Sequence, residues 1–154
     1  ASMGGIGALR MAFRQPERFA AVAAHAPALD AAMTFAEVPP VSLLRLLRPP
    51  GFLEELYGSP IDADGYWTRN NPAYLARENA HRIRKSGIRI YIDCGTRDTM
   101  ARDGTGFLQR VLEQAGVPHA LHWVPDARHN RAFFSIAMLQ GFHFMSEALG
   151  AKPK

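Results

Sequence analysis

Ser2 is placed to act as a nucleophile because of the small residues that follow it. Residues 2–9 read Ser-Met-Gly-Gly-Ile-Gly-Ala-Leu, which resembles the second half of a Gly-x-Ser-x-Gly nucleophile elbow. In such an elbow a strand turns sharply into a helix and leaves the serine hydroxyl exposed above a sheet. The turn needs small neighbours because the backbone doubles back on itself. A hydroxyl is a weak nucleophile at neutral pH, so the sequence must also supply a base and a carboxylate that orients it.

Asp98 and His129 are the candidates for the carboxylate and the base. Asp98 follows a predicted strand over residues 88–94, in which Ile and other residues alternate. His129 follows another predicted strand, over residues 119–124. The carboxyl ends of parallel strands meet at one edge of a sheet, and serine, acid, histidine is the chain order of α/β-hydrolases. We therefore predict that the three side chains converge, with Ser2 as nucleophile, Asp98 as acid and His129 as base.

The backbone N–H of Met3, directly after the serine, is the predicted donor to the oxyanion that forms during acyl transfer. A second donor would come from a loop upstream of the elbow, and this sequence does not contain that loop. A plainer interpretation of the serine stays open, in which Ser2 only caps the helix that follows it.

Two other aspartates compete with Asp98 for the role of the acid. Asp93 lies within the predicted strand rather than after it. Asp126 is so close to His129 in the sequence that the geometry of the ring would be awkward. Asp98 could itself be a turn or capping residue, although its loop position favours the catalytic interpretation.

Three histidines compete with His129 for the role of the base: His25, His119 and His122. His119 and His122 are three residues apart in a predicted strand, so their side chains would face opposite sides of the sheet. Such a pair cannot easily share a metal ion, and no cluster of carboxylates or cysteines completes a metal site. We therefore predict no metal and no cofactor.

The remaining pattern predicts alternating helices and strands. Helical spacing predicts a short helix over residues 4–14, and a compact apolar run predicts a buried strand over residues 19–25. Further along, a helix is marked by Phe107 to Ala115 and closed by Gly116, and a last helix covers residues 131–149. This order is typical of an α/β fold with a parallel sheet.

Residues 27–60 differ in character from the rest of the chain. Paired prolines surround four leucines, which predicts a short amphipathic helix within residues 43–47. Such an insertion after a strand could form a lid or a pocket wall, with Trp67 as another candidate wall, or could be ordinary packing. Residues 61–80 are predicted to be loop with the start of a helix.

Composition limits the class of protein. The 154 residues are 47% hydrophobic and 21% charged, as expected of one globular domain. The net charge of +4 comes from scattered arginines, so nucleic acid is not a predicted partner. No apolar run is long enough to span a membrane. The single cysteine, Cys94, excludes an internal disulfide; it slightly favours a cytoplasmic location and leaves the compartment open.

Four motifs together resemble the putative esterase family of α/β-hydrolases, which includes S-formylglutathione hydrolase and the feruloyl and acetylxylan esterases. They are Ser-Met-Gly-Gly-x-Gly-Ala-Leu at 2–9, Gly-Thr-x-Asp at 95–98, Leu-x-x-x-Gly-Val-Pro-His at 112–119, and a histidine loop before Phe133-Phe134. The resemblance runs from Ala1 to about Leu149. It implies the same roles for Ser2, Asp98, His129 and the Met3 N–H. The chain departs from the pattern at Ala127-Arg128, where relatives often have glycines.

The resemblance implies a carboxylic ester hydrolase for short acyl, acetyl or feruloyl-type esters, or for a thioester such as S-formylglutathione. An acyltransferase of the same fold and a non-catalytic remnant that serves as an interaction domain are the alternatives. We expect residues 1–154 to be the C-terminal part of one α/β-hydrolase domain that lacks the strand before the elbow. A strand at 19–25 with an open edge would pair with another segment or chain, so we expect a companion N-terminal segment, and a homo-oligomer is possible.

Overall fold

The computed structural model describes residues 1–46, 49 and 51–150, without the side chain of Leu43. Within these residues one sheet contains three parallel strands in the order β1-β2-β3. The strands are β1 (Ala21–His25), β2 (Arg89–Gly95) and β3 (Ala120–Val124). Every strand therefore ends at the same edge of the sheet, which is the condition for the loops that follow β2 and β3 to meet.

Helices cover both faces of the sheet. Ala23 and Ala24 are successive residues of β1, so their side chains point to opposite faces of the sheet. Gly141 lies against Ala23, and Gly5 lies against Ala24. The helices are α1 (Met3–Arg14), α2 (Leu43–Leu46), α3 (Phe52–Tyr57), α4 (Tyr66–Asn70), α5 (Pro72–Glu78), α6 (Ala80–Ser86), α7 (Arg102–Gln114) and α8 (Arg131–Ala148), with 3-10 turns at Pro16–Arg18 and Phe35–Glu37. None of the helices in the described ranges is long and apolar enough to cross a bilayer.

The main core lies between β2 and the helices α1 and α7. Leu9 and Phe13 of α1, Ile92 of β2 and Leu108 of α7 belong to one cluster of buried hydrophobic side chains, and none of the four is accessible to solvent. Full burial of such a side chain stabilises the fold by about 1.5–3 kcal/mol. The core therefore holds α1, which begins beside Ser2, in the same packed unit as β2, the strand that leads to Asp98.

The predicted α/β class with a parallel sheet is confirmed, with small differences at the ends of elements. The first and third strands begin at Ala21 and Ala120, later than predicted, so His119 precedes its strand. The helix α7 begins at Arg102, a turn earlier than the apolar spacing indicates.

The prediction of loop over most of residues 61–80 was wrong, because α4, α5 and the start of α6 fall there. The Asn71-Pro72 pair has residue types that are typical of a turn, and in the structure it begins a helix. The side chain of Asn71 accepts a hydrogen bond from the N–H of Ala73 at 3.1 Å, and Pro72 takes the first helical position.

Described residues of the segment 27–60 form a small apolar cluster of their own. Phe35 is its centre, with Val38 and Leu53 also buried, and Trp67 packs edge-on against the Phe35 ring with centroids 5.7 Å apart. The predicted helix at 43–47 is present as α2 over Leu43–Leu46, and residue 47 lies outside the described residues. Whether the segment acts as a lid or a pocket wall stays a prediction.

Candidate active site

Ser2 lies in a strained turn immediately before α1. Its φ angle is +51°, a region that residues with a side chain rarely adopt. The N–H of Ser2 donates to the carbonyl of His25, the last residue of β1, at 2.8 Å. A Cβ at Gly5 would come within 3.2 Å of Pro27, so the start of α1 passes close to the chain that leaves β1. The small residues after the serine therefore permit the close approach of helix and strand.

Asp98 is fully buried and uses its two carboxylate oxygens differently. One oxygen, Oδ1, accepts hydrogen bonds from the N–H groups of Met100 and Ala101, each at 2.9 Å. The other, Oδ2, lies 2.7 Å from Nδ1 of His129. The two interpretations of Asp98 are thus compatible, because the turn bonds hold the carboxylate in the orientation that meets the imidazole.

His129 connects the carboxylate to the serine. Its Nε2 lies 2.9 Å from Oγ of Ser2, and its Nδ1 faces Asp98. The tautomer that satisfies both contacts has Nδ1–H donating to Asp98 and Nε2 accepting from the Ser2 hydroxyl. The ring of Phe134 stands perpendicular to the imidazole, with centroids 4.9 Å apart. With a side chain only 14% exposed, the imidazole is held on three sides.

The loops that carry Asp98 and His129 are joined to each other. The N–H of Arg97 donates to the carbonyl of Ala127 at 3.0 Å, and the N–H of Asp126 donates to Oγ1 of Thr96 at 2.9 Å. The guanidinium of Arg97 also pairs with the carboxylate of Asp126 at 2.8 Å. A Cβ at Gly95 would collide with the carbonyl of Ala127. The glycine at the end of β2 therefore lets the two loops approach.

The rival aspartates do not reach His129. Asp93 is buried beside His25, with the carboxylate 2.8 Å from Nδ1 of that ring. Asp126 is 75% exposed at its side chain and pairs with Arg97. Geometry thus leaves Asp98 as the carboxylate in contact with His129.

The rival histidines are also placed elsewhere. Nδ1 of His119 lies 2.8 Å from the carbonyl of Val117. The ring of His122 stacks on Tyr91, with centroids 5.2 Å apart. The prediction that His119 and His122 share a strand was wrong, because β3 begins after His119. Among the described residues, no group of three His, Cys, Asp or Glu side chains could hold a metal ion.

Two further groups lie near the site: the backbone N–H of Met3 and the thiol of Cys94. Met3 is the first residue of α1, so its N–H has no acceptor within the helix and stays available beside Ser2. Cys94 lies in β2 and is fully buried. Burial raises the pKa of Cys94 to about 12, so its thiol stays protonated and is a poor nucleophile. The hydroxyl of Ser2, which contacts His129, is therefore better placed than this thiol to react.

A second histidine–aspartate pair, His25 with Asp93, was not predicted from the sequence. Each of the two residues was considered separately, as a competitor of His129 or of Asp98. They meet because they occupy opposite positions in the register of β1 and β2. That register is not visible in the sequence, because 68 positions separate the residues.

Fold and site together define the class of protein. A serine directly before a helix, hydrogen-bonded to a histidine after β3 and through that histidine to an aspartate after β2, matches the arrangement of the α/β-hydrolases. The chain belongs to the putative esterase family, whose sequence profile matches residues 1–145. A comparison with curated protein sequences found no match.

Solved structures of three hydrolases resemble the fold. An S-formylglutathione hydrolase from Agrobacterium tumefaciens is 23% identical with a TM-score of 0.70, and the match covers 97% of this chain and 47% of that one. FphF, a fluorophosphonate-binding serine hydrolase of Staphylococcus aureus, is 22% identical with a TM-score of 0.69 and coverages of 94% and 51%. A ferulic acid esterase is 22% identical with a TM-score of 0.65 and coverages of 96% and 49%. The chain thus spans about half the length of these structures.

Proposed function

We propose that this protein is a serine carboxylic ester hydrolase that works through an acyl-serine intermediate. The observation that carries the proposal is the continuous hydrogen-bonded chain from Ser2 through His129 to Asp98, with distances of 2.9 and 2.7 Å. The membership of the putative esterase family supports the class of reaction.

In the first half of the reaction, Oγ of Ser2 attacks the carbonyl carbon of the ester while Nε2 of His129 takes the hydroxyl proton. The carbonyl oxygen becomes an oxyanion, and the N–H of Met3 is the donor that we assign to it. Collapse of this intermediate breaks the bond to the alcohol, which leaves with the proton from His129. Asp98 stabilises the imidazolium that exists between these two proton transfers.

In the second half, His129 takes a proton from water, and the resulting hydroxide attacks the acyl carbon bound to Ser2. The second oxyanion collapses, the bond to Oγ breaks, and the serine recovers its proton from the imidazolium. The net products are one carboxylic acid and one alcohol. The enzyme returns to its starting state without a cofactor.

The proposed substrates are esters of short acyl, acetyl or feruloyl-type acids, or a thioester such as S-formylglutathione. Two of the similar solved structures are a ferulic acid esterase and an S-formylglutathione hydrolase, which supports this range. We assign the wall of the acyl pocket to residues 27–60. This segment starts beside the nucleophile, because the N–H of Ala28 donates to the carbonyl of Ser2 at 3.4 Å.

Labelling with a fluorophosphonate tests the proposal. The complete protein is expected to gain one phosphonyl group, with peptide mass spectrometry placing it on Ser2, because only a serine activated by a base reacts readily with such probes. Prior inactivation by heat should prevent the reaction. A folded protein that takes up no phosphonyl group would indicate the non-catalytic alternative, and an adduct on another residue would refute the assignment of Ser2.

The open edge of β1 is the basis of a second proposal, which concerns the partner. Within the described residues β1 is hydrogen-bonded to β2 along one edge only. Along the other edge runs an apolar groove of about 360 Å³ between α1 and α8, and its walls include Met11, Met138 and Phe142. These three side chains are 58%, 43% and 63% exposed, and unpaired strand edges beside apolar surface favour the addition of a strand.

We propose that an apolar strand of further polypeptide fills this groove and extends the sheet beyond β1. The match covers only about half of each similar structure. The proposed strand would correspond to part of the other half, which this chain does not match. A companion chain or an N-terminal segment of the same chain would satisfy the groove equally. In both cases the strand would end close to Ala1, which borders the groove.

Paired substitutions on α8 test the occupancy of the groove. Phe142→Asp is expected to lower the stability of the complete protein by about 3 kcal/mol or more, because the proposed strand would bury the Phe142 ring and a carboxylate would take its place. Leu139→Asp is the control, since Leu139 is 69% exposed and lies outside the groove; its effect should be about 0.5 kcal/mol or less. If urea unfolding gives the same loss of stability for both variants, the groove has no occupant and the proposal is wrong. A midpoint that rises with protein concentration would assign it to a second copy.

A further inference from the structure

A second buried pair of histidine and aspartate lies beneath α8, and the proposed reaction does not use it. His25 is 7% exposed and Asp93 is not exposed at all. Nδ1 of His25 lies 2.8 Å from Oδ2 of Asp93, while Oδ1 of Asp93 has no hydrogen-bond partner among the described residues. A buried carboxylate with incomplete hydrogen bonding is costly. Its presence within a few residues of the site calls for a physical reason.

The backbone of the pair is bonded to the turn that carries Ser2. The carbonyl of His25 accepts the N–H of Ser2 at 2.8 Å, and the carbonyl of Asp93 accepts the N–H of Ala26 at 2.8 Å. Ser2 and Ala26 have positive φ angles of 51° and 41°. Strained residues of this kind persist only when the surrounding structure over-determines them. The hydrogen bond between the side chains of His25 and Asp93 fixes the position of His25, which is hydrogen-bonded to Ser2 and directly precedes Ala26 in the chain.

The pair also joins the three elements that deliver the three site residues. His25 ends β1, whose last carbonyl holds Ser2, and Asp93 lies in β2, five residues before Asp98. On the other face of the ring, α8 approaches so closely that a Cβ at Gly141 would collide with Nε2 of His25. This helix begins two residues after His129. A shift of the His25 ring would therefore be transmitted to β1, β2 and α8 together.

We infer that His25 and Asp93 are positioning residues for the proposed ester hydrolysis. The pair keeps the end of β1 in register with β2 and thereby holds the Ser2 backbone at the angle that places Oγ within 2.9 Å of His129. This inference rests on the proposed function. It concerns the geometry of the attack, so it predicts a loss in kcat with little change in KM.

His25→Leu tests the inference in the complete protein. Leucine keeps a branched side chain of similar size but removes the donor to Asp93. We expect kcat per serine titrated by fluorophosphonate to fall about 10- to 100-fold, because small displacements of a nucleophile have effects of this size. The KM for p-nitrophenyl acetate should change by about twofold or less, since the substrate contacts remain.

His25→Asn is the rescue variant, because its side-chain amide places an N–H donor at the position of Nδ1. It should recover kcat to within about threefold of the unmodified protein if the bond to Asp93 is what matters. Gly141→Ala displaces the ring from the opposite side and should lower kcat without altering the pair chemically. Gly106→Ala is the matched control in α7. Its added Cβ would lie 3.7 Å from the nearest atom, so it should displace nothing.

The number of serines labelled by fluorophosphonate distinguishes a positioning role of the His25–Asp93 pair from a role in folding alone. A purely structural pair would lower the fraction of titratable protein and leave kcat per titrated serine unchanged, and that result would overturn the inference. If His25→Leu fails to fold, Gly141→Ala decides by the same criterion against Gly106→Ala. An unmodified protein that is neither labelled nor active would instead refute the proposed function itself.

Discussion

Replacement of Ser2 by alanine is expected to lower kcat for p-nitrophenyl acetate by about 10⁴-fold or more, since the nucleophile of a serine hydrolase acts as a unit with its base. The substitution removes one oxygen that contacts His129 at 2.9 Å. Without Oγ of Ser2, the remaining path is attack by a water molecule with His129 as general base. Unlike Oγ, a water molecule is not fixed covalently beside the imidazole. KM should change little, because Oγ contributes to the reacting bond rather than to the binding of the ester.

The single cysteine of the chain cannot replace the serine oxygen. Cys94 is fully buried, with a thiol pKa raised by burial to about 12. The large loss should therefore persist at long incubation, and labelling by fluorophosphonate should disappear together with turnover.

Ser135→Ala is the matched control for this experiment. Ser135 lies on the exposed surface of α8, where its hydroxyl donates to the carbonyl of Arg131 at 2.9 Å. The change removes one hydroxyl, as Ser2→Ala does, and should alter kcat by about twofold or less because surface substitutions are usually mild. Turnover by Ser2→Ala at the rate of this control would refute the assignment of the nucleophile.

Asp98 and His129 could be located from sequence because each lies in the loop that follows an apolar strand. The strands β2 and β3 are marked by Ile90, Ile92 and Leu121, so their ends could be placed to within a residue or two. Parallel strands fix where those ends lie relative to each other. The neighbourhood of Ser2, Asp98 and His129 therefore follows from local pattern and topology, without knowledge of packing.

His25 and Asp93 show what the sequence could not predict. Their contact depends on the relative register of β1 and β2, and a slip of one residue would place the two side chains on opposite faces of the sheet. The close approaches at Gly95 and Gly141 depend on contacts with Ala127 and with the His25 ring. These are properties of the packed molecule, and a glycine in a sequence does not reveal which backbone or side chain will approach it.

Asp98→Asn is expected to lower kcat by about 10⁴-fold while the protein stays folded, because the amide would impose the wrong tautomer on the histidine. Oδ1 of Asp98 accepts two backbone N–H groups, those of Met100 and Ala101. In asparagine only the carbonyl oxygen can accept these bonds. The amide nitrogen is thereby forced into the position of Oδ2, 2.7 Å from Nδ1 of His129.

The consequence of that forced orientation is a reversal of the proton on the imidazole. An amide N–H that points at Nδ1 requires Nδ1 to accept, so the proton of the neutral ring moves to Nε2. Nε2 then cannot accept the hydrogen bond of the Ser2 hydroxyl, and the base is lost although every heavy atom stays in place. Fluorophosphonate labelling of Ser2 should slow in parallel with kcat, since both reactions need the same proton transfer.

Asp126→Asn separates this effect from a general loss of negative charge at the site. Asp126 lies three residues before His129 and pairs with Arg97 at 2.8 Å, but its side chain is 75% exposed. Its neutralisation should change kcat by about twofold or less because an exposed ion pair contributes little. Equal losses in the two variants would mean that charge, and not the tautomer, governs the reaction. An Asp98→Asn protein that melts cooperatively at nearly the unmodified temperature and retains full kcat would show that His129 does not act through Asp98.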